Sequence, residues 1–259
     1  MGLVINNYLK EEKMALSKEQ QECLDSVSTQ TGMRYGQRLY NDVFAGKPKE
    51  FVTEELCLAV VQKNGVMLCY VPEKLKTGAV CRAAVEQNIN ALQYVPQKQM
   101  TEEFCLFAVQ EKGISLGEVP EKVMTEAVCI AAVKRNAYTL QSVPEKVMTE
   151  AICIAAVEQD ANALQFVPEK LKTEAICVAA VKQDANSLQY VPKKLMTEAV
   201  CLFAVQKNYR LLEHIPEKLR TEALCIAAAK QDISVLHTSQ YFSEKVRAKA
   251  AAAFNAEGA

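Results

Sequence analysis

A chain of 259 residues with 30 basic and 31 acidic side chains has a formal net charge of −1, so it has no bulk electrostatic pull toward nucleic acid or an anionic membrane. Half of its residues are apolar, enough to bury a large interior, yet no apolar run approaches the ~20 residues needed to span a bilayer. The opening MGLVINNYLKEEKMALSKEQ does not read as a signal peptide, because its apolar stretch is short and no small-residue cleavage site follows. Gly2 does not complete a myristoylation signal, since Asn6 stands where Ser or Thr is required.

In chain order, SKEQQECLDSV from Ser17 predicts a capped helix, and residues 31–44 predict a second one ended by Gly46. Residues 1–46 therefore read as an N-terminal helical cap. From Lys47 a strict period takes over. All eight prolines, from Pro48 to Pro216, are 24 residues apart. A threonine follows each proline by five residues (Thr53 to Thr221) and a cysteine by nine (Cys57 to Cys225). A fixed period in the 20–50 residue range marks a solenoid, in which each unit buries its apolar face against its neighbours.

One unit, residues 144–167 (PEKVMTEAICIAAVEQDANALQFV), gives the local reading. Thr149 is a good N-cap, and Glu150 places negative charge where the helix dipole favours it. Residues 151–157 (AICIAAV) are too continuously apolar for a helix facing water and predict one buried on most sides. Residues 161–167 predict a short second helix, stopped by Pro168 because a proline pushes the preceding residue out of the α region. The expected fold is all-α, an α-solenoid of about eight 24-residue helix–short helix repeats over residues 47–238, with residues 239–259 as a C-terminal capping helix.

The units are not identical. The first carries Cys69 where others have mostly Gln, and the second has Gly78 for Glu and Arg82 for an aliphatic residue. Arg82 is expected to reach solvent or pair with an acid. The third is the most divergent, with Gln97, Gln99, Lys112, Gly113 and Gly117. After Ser239 the period decays into an alanine-rich helix with Ser243 as its cap.

Little here suggests chemistry. Equivalent cysteines in adjacent units are expected a helix spacing apart, roughly 8–10 Å, too far for a disulfide or a shared zinc ion. No histidine lies near the ladder. Buried cysteine acting as a small apolar residue is the economical reading, and a thiol-rich interior suits a reducing compartment. Cys23 and Cys69 lie off the ladder and are the better candidates for reactive thiols. His214 and His237 have no triad partners at a suggestive spacing, and no phosphate-binding glycine loop is present. No catalytic residue, metal or cofactor is expected. The alternating Asn/Asp series (Asn64, Asn88, Asn136, Asp160, Asp184, Asn208, Asp232) resembles the variable polar positions of RNA-reading repeats, but polar helix ends account for it without basic or stacking neighbours.

The short helix carries the candidate binding stripe. Positions 18 and 22 after each proline are four residues apart and would share one face of an α-helix. They vary while the core does not, and they supply Tyr70, Asn90, Tyr94, Tyr138, Asn162, Phe166, Asn186, Tyr190, Arg210 and His214. Aromatic side chains on a repeated surface are typical interface anchors.

The motifs VPEK, TEAxCxAAV and ALQYVP, as in VPEKLKTEAICVAAVKQDANSLQYVP (167–192), resemble a bacterial repeat family catalogued as a domain of unknown function. The resemblance covers residues 47–238. It implies tandem helical repeats, a bacterial origin and, for some members in intracellular bacteria, an effector-like role; it implies no catalytic residue or ligand. The expected function is a non-enzymatic protein-interaction scaffold in a bacterial cytoplasm, or in a host cytosol reached without a cleaved signal peptide. The alternatives are a nucleic-acid-binding repeat protein and a self-associating rod.

Overall fold

The computed structural model describes residues 16–27, 44–237 and 241–257, and among them there is no strand. The helix expected over residues 31–44 lies, but for its last residue, outside this set. The described residues divide into two compact units: residues 1–114 with 118–123, and residues 115–117 with 124–259.

The first unit begins with α1 (Lys18–Ser26), whose predicted cap is a full capping box. Ser17 Oγ accepts from the Gln20 N–H, and the Gln20 side chain accepts from the Ser17 N–H. Three repeat helices follow: α2 (Glu54–Lys63), α3 (Gly78–Gln87) and the shorter α4 (Glu102–Phe107). The second unit holds α5 (Glu126–Arg135), α6 (Glu150–Gln159), α7 (Glu174–Gln183), α8 (Glu198–Lys207), α9 (Glu222–Ala229) and the C-terminal α10 (Glu244–Glu257). Within each unit, successive repeats pack on their neighbours, as an all-α repeat solenoid requires.

The repeat consensus sets each boundary. From α2 to α8 the predicted threonine is the N-cap, accepting the N–H three residues on, as Thr149 does from Ile152 at 3.3 Å. In α9, Thr221 is the N-cap residue without that side-chain bond. In all repeats but the third and the eighth the long helix ends at an Asn or Asp held in an extended conformation, for Asp160 at φ −149°. The next six residues form a short 3₁₀-helix, such as Ala161–Phe166. The Asn/Asp side chain caps this second helix by accepting the N–H two residues on, in Asn88, Asn136, Asp160, Asp184, Asn208 and Asp232. One residue thus ends one helix and starts another, and either amide or carboxylate supplies the needed acceptor. That explains the alternation.

Each core layer comes from the same offsets. In the fifth repeat Ile152, Cys153, Ala156, Val157 and Leu164 are buried, and equivalents such as Ile176, Cys177, Ala180, Val181 and Leu188 lie in the next layer. The third repeat breaks the pattern. Lys112 cannot accept the capping N–H, so after α4 the chain widens into a π-turn, Ala108–Lys112, which Gly113 closes in the left-handed region at φ 69°. The C-terminal helix α10 packs against α9. Arg247 in α10 donates to the Leu236 carbonyl (3.2 Å) and the Phe242 carbonyl (3.3 Å), and Ala250 is fully buried.

Candidate binding face

Much of the repeat's conserved polar chemistry holds repeats to one another, which narrows what remains for a partner. The capping threonine also donates its hydroxyl to the glutamate that opens the preceding helix. Thr149 donates to Glu126 at 2.5 Å, Thr173 to Glu150 at 3.0 Å, Thr197 to Glu174 at 2.6 Å and Thr221 to Glu198 at 2.6 Å. In the first unit Thr77 donates to Glu54 at 2.7 Å. Where the ladder would next link Thr101, Gly78 has no carboxylate; there the Gln99 side chain donates instead to the Lys76 carbonyl at 2.9 Å.

At the other end of the long helices, the terminal carbonyls are capped from the following repeat. Gln183 donates to the Glu158 carbonyl at 2.9 Å, Lys207 to the Gln183 carbonyl at 3.4 Å and Gln231 to the Val205 carbonyl. These bonds satisfy C=O groups left without intrahelical partners. Together with the Asn/Asp caps they account for most of the repeated polar side chains, so the Asn/Asp series, apart from Asn64, acts on the backbone.

The short helix differs from expectation in one respect that bears on the stripe. It is a 3₁₀-helix of three residues per turn, so residues three apart eclipse and residues four apart do not. Positions 18 and 22 therefore do not share a face. In Ala161–Phe166, Ala161 and Leu164 point into the core, Asn162 and Gln165 face outward, and Ala163 and Phe166 line the third side. Accordingly Asn90, Asn186 and Arg210 are exposed and Tyr138 is 43% exposed, with Asn162 half-buried. The rings at position 22 (Tyr70, Tyr94, Phe166 and Tyr190) are half-buried, whereas His214 there is exposed beside Glu213 at 3.3 Å. The two positions meet between repeats where Tyr138 packs edge-on against Phe166, centroids 5.7 Å apart.

A second outward surface was not anticipated. The long helices are buried against neighbouring repeats, but their outer side stays open. In the second unit Ile130, Ile154, Val178, Leu202 and Ile226 are half-buried at one repeated position, and the alanines three residues before them are exposed. A shallow groove of about 530 Å³ lies on this side, lined by Glu158, Ala175, Val178, Ala179, Lys182 and Gln183. The signal in the sequence was an aliphatic residue repeated four places after the helix-opening glutamate, hidden inside a run apolar on every side. In the first unit the stripe is interrupted by Arg82. This residue is exposed, but rather than pairing with an acid it lies over the Phe107 ring at 4.0 Å, a cation–π contact.

All ten cysteines are free thiols, and the eight of the ladder are fully buried. Burial pushes the Cys57 thiol up to about 12 and those of Cys81, Cys129, Cys153, Cys201 and Cys225 to about 11. Cys69, expected to be a reactive thiol, is also held above its ordinary range by burial, with Lys76 pulling the other way. Reactivity needs the thiolate, so the half-buried position works against it. No group of three or more potential metal-ligating side chains occurs among the described residues.

A helical-repeat protein whose units are joined through side-chain caps is the class that this geometry defines. Residues 53–101 and 150–196 each match the domain of unknown function DUF4116, and each match spans two of the 24-residue repeats. Two stretches of the chain are thus similar to that domain, as a tandem-repeat organisation requires. Neither the curated proteins nor the solved structures give a match. No described helix is long and apolar enough to cross a membrane.

Proposed function

We propose that this chain is a non-enzymatic protein-binding scaffold and that the outward side of its short helices is the recognition face. The observation that carries this reading is a division of labour. The repeated Thr, Glu and Asn/Asp side chains are used in caps and inter-repeat bonds, while the outward positions change from unit to unit, through Asn90, Tyr138, Asn162, Asn186 and Arg210. A constant frame with a varied, partly aromatic surface is how repeat proteins present extended binding sites.

The nucleic-acid reading loses its main support once the Asn/Asp oxygens are committed to backbone N–H groups, and a net charge of −1 adds none. The fully buried ladder thiols favour work in a reducing compartment such as a cytosol. A bacterial or effector setting rests on the sequence resemblance alone.

The test is affinity capture with the full chain and with a Tyr138→Glu/Asn186→Glu/Arg210→Glu variant. These side chains lie on the outer side, so far-UV circular dichroism should be unchanged. A partner lost in the variant supports the face; one retained by it moves recognition elsewhere.

A further inference from the structure

The stripe on the long helices of the second unit lies on a different surface from the proposed recognition face, and its charge pattern says what fits it. The opening glutamate, the half-buried aliphatic residue and the side chain four places further on are spaced i, i+4, i+8 and share one helix face. In alternate repeats this face reads acid, aliphatic, base: Glu126–Ile130–Lys134, Glu174–Val178–Lys182 and Glu222–Ile226–Lys230. The acidic and basic ends are about 12 Å apart at 1.5 Å per residue. Across the unit, a row of glutamates borders one edge of the stripe, and the lysines of alternate repeats border the other. The repeats between carry Glu158 and Gln206 at the basic edge.

We infer that this stripe is a self-association surface and that its occupant is the same stripe of a second copy of this chain. The symmetry follows from the charges. A two-fold axis running along the stripe keeps equivalent repeats opposite one another and reverses the helix direction. It sets Glu126 against the second copy's Lys134, Glu174 against Lys182 and Glu222 against Lys230, each twice over, against one like-charged pairing of Glu150 with Glu158, and it presses the aliphatic row against itself. An axis across the stripe would set glutamate row against glutamate row. Such an interface is isologous, closes at two copies, and has the apolar centre and charged rim of a specific contact.

The test is a charge swap read by sedimentation velocity on the full chain. The wild type is expected to dimerise at roughly 100 µM or below. Lys134→Glu/Lys230→Glu and Glu126→Lys/Glu222→Lys each put like charges opposite one another, and each should weaken dimerisation at least about a hundredfold. Mixing the two variants restores every opposed pair, so a heterodimer should return. Val178→Glu should leave helicity unchanged and abolish association. A wild-type chain that stays monomeric overturns the inference, as does a dimer that survives all three variants. Equally, if the wild type is monomeric and a different protein requires Val178, the stripe serves that protein and self-association is wrong. Partner capture by the short helices uses other residues, so the two failures are distinguishable.

Discussion

The two compact units follow one consensus, and they differ where single residues depart from it. In the second unit the threonine–glutamate ladder is continuous from Glu126 to Thr221, the aliphatic stripe has no gap, and all five short helices are capped by Asn or Asp. In the first unit Gly78 removes a rung of the ladder, Arg82 interrupts the stripe, and Lys112 turns the end of a helix into a π-turn. A solenoid has only nearest-neighbour contacts, so each departure acts locally and the period survives it. The first unit also carries a tight contact of its own. A Cβ on Gly65 would lie 2.2 Å from the Ala84 carbonyl oxygen, although alanine occupies the same place in three later repeats.

This contrast can be sharpened or broken by experiment. The largest effect is expected at alkaline pH. Burial holds the thiols of Cys57, Cys81, Cys129, Cys153, Cys201 and Cys225 up at about 11 to about 12, whereas in the unfolded chain they lose their protons near 8.5. Stability is therefore fully present below the ordinary thiol range and falls as pH rises from there toward 11, by about 1.4 kcal/mol per pH unit for each thiol. With four such thiols (Cys129, Cys153, Cys201 and Cys225) against two (Cys57 and Cys81), the second unit should lose stability more steeply, which hydrogen exchange under reducing conditions can resolve. Equal slopes in the two units would contradict the linkage.

Next in size is Gly65→Ala, which forces the second repeat's backbone to move and should cost roughly 3 kcal/mol in denaturant melts. The same measurement on Ala161→Gly, at the equivalent place in the second unit, should give only about 1 kcal/mol. Ala156→Leu overpacks a fully buried site and should cost about 1–3 kcal/mol, with faster hydrogen exchange confined to adjoining repeats. Even loosening across the whole array would refute locality.

Two smaller changes should stabilise. Gly78→Glu restores the missing carboxylate opposite Thr101 and removes a flexible residue from a helix start. A gain of about 1 kcal/mol in the first unit is expected, and no gain would mean that the ladder carries little energy. Ser187 is fully buried with no hydrogen-bond partner for its hydroxyl, so Ser187→Ala should be neutral or stabilising by up to about 1 kcal/mol. A clear loss of stability would show that the hydroxyl is satisfied in solution.

The sequence by itself determined the all-α class, the 24-residue period, the threonine caps, the buried cysteine ladder and the capped first helix at Ser17. Each of these rests on local rules: which side chain can cap, which residue stops a helix, and which apolar run must be covered. Tertiary structure alone decided the rest. That the short helix is 3₁₀, so that Asn162 and Phe166 face different ways, depends on one extended Asp160 and on the layer beneath it. That Thr173 reaches back to Glu150, and that Arg82 lies over Phe107 rather than beside an acid, are contacts between residues more than twenty positions apart. Which side of AICIAAV stays open is decided by how neighbouring repeats stack, because a helix apolar all round contains no record of the direction from which its cover will come.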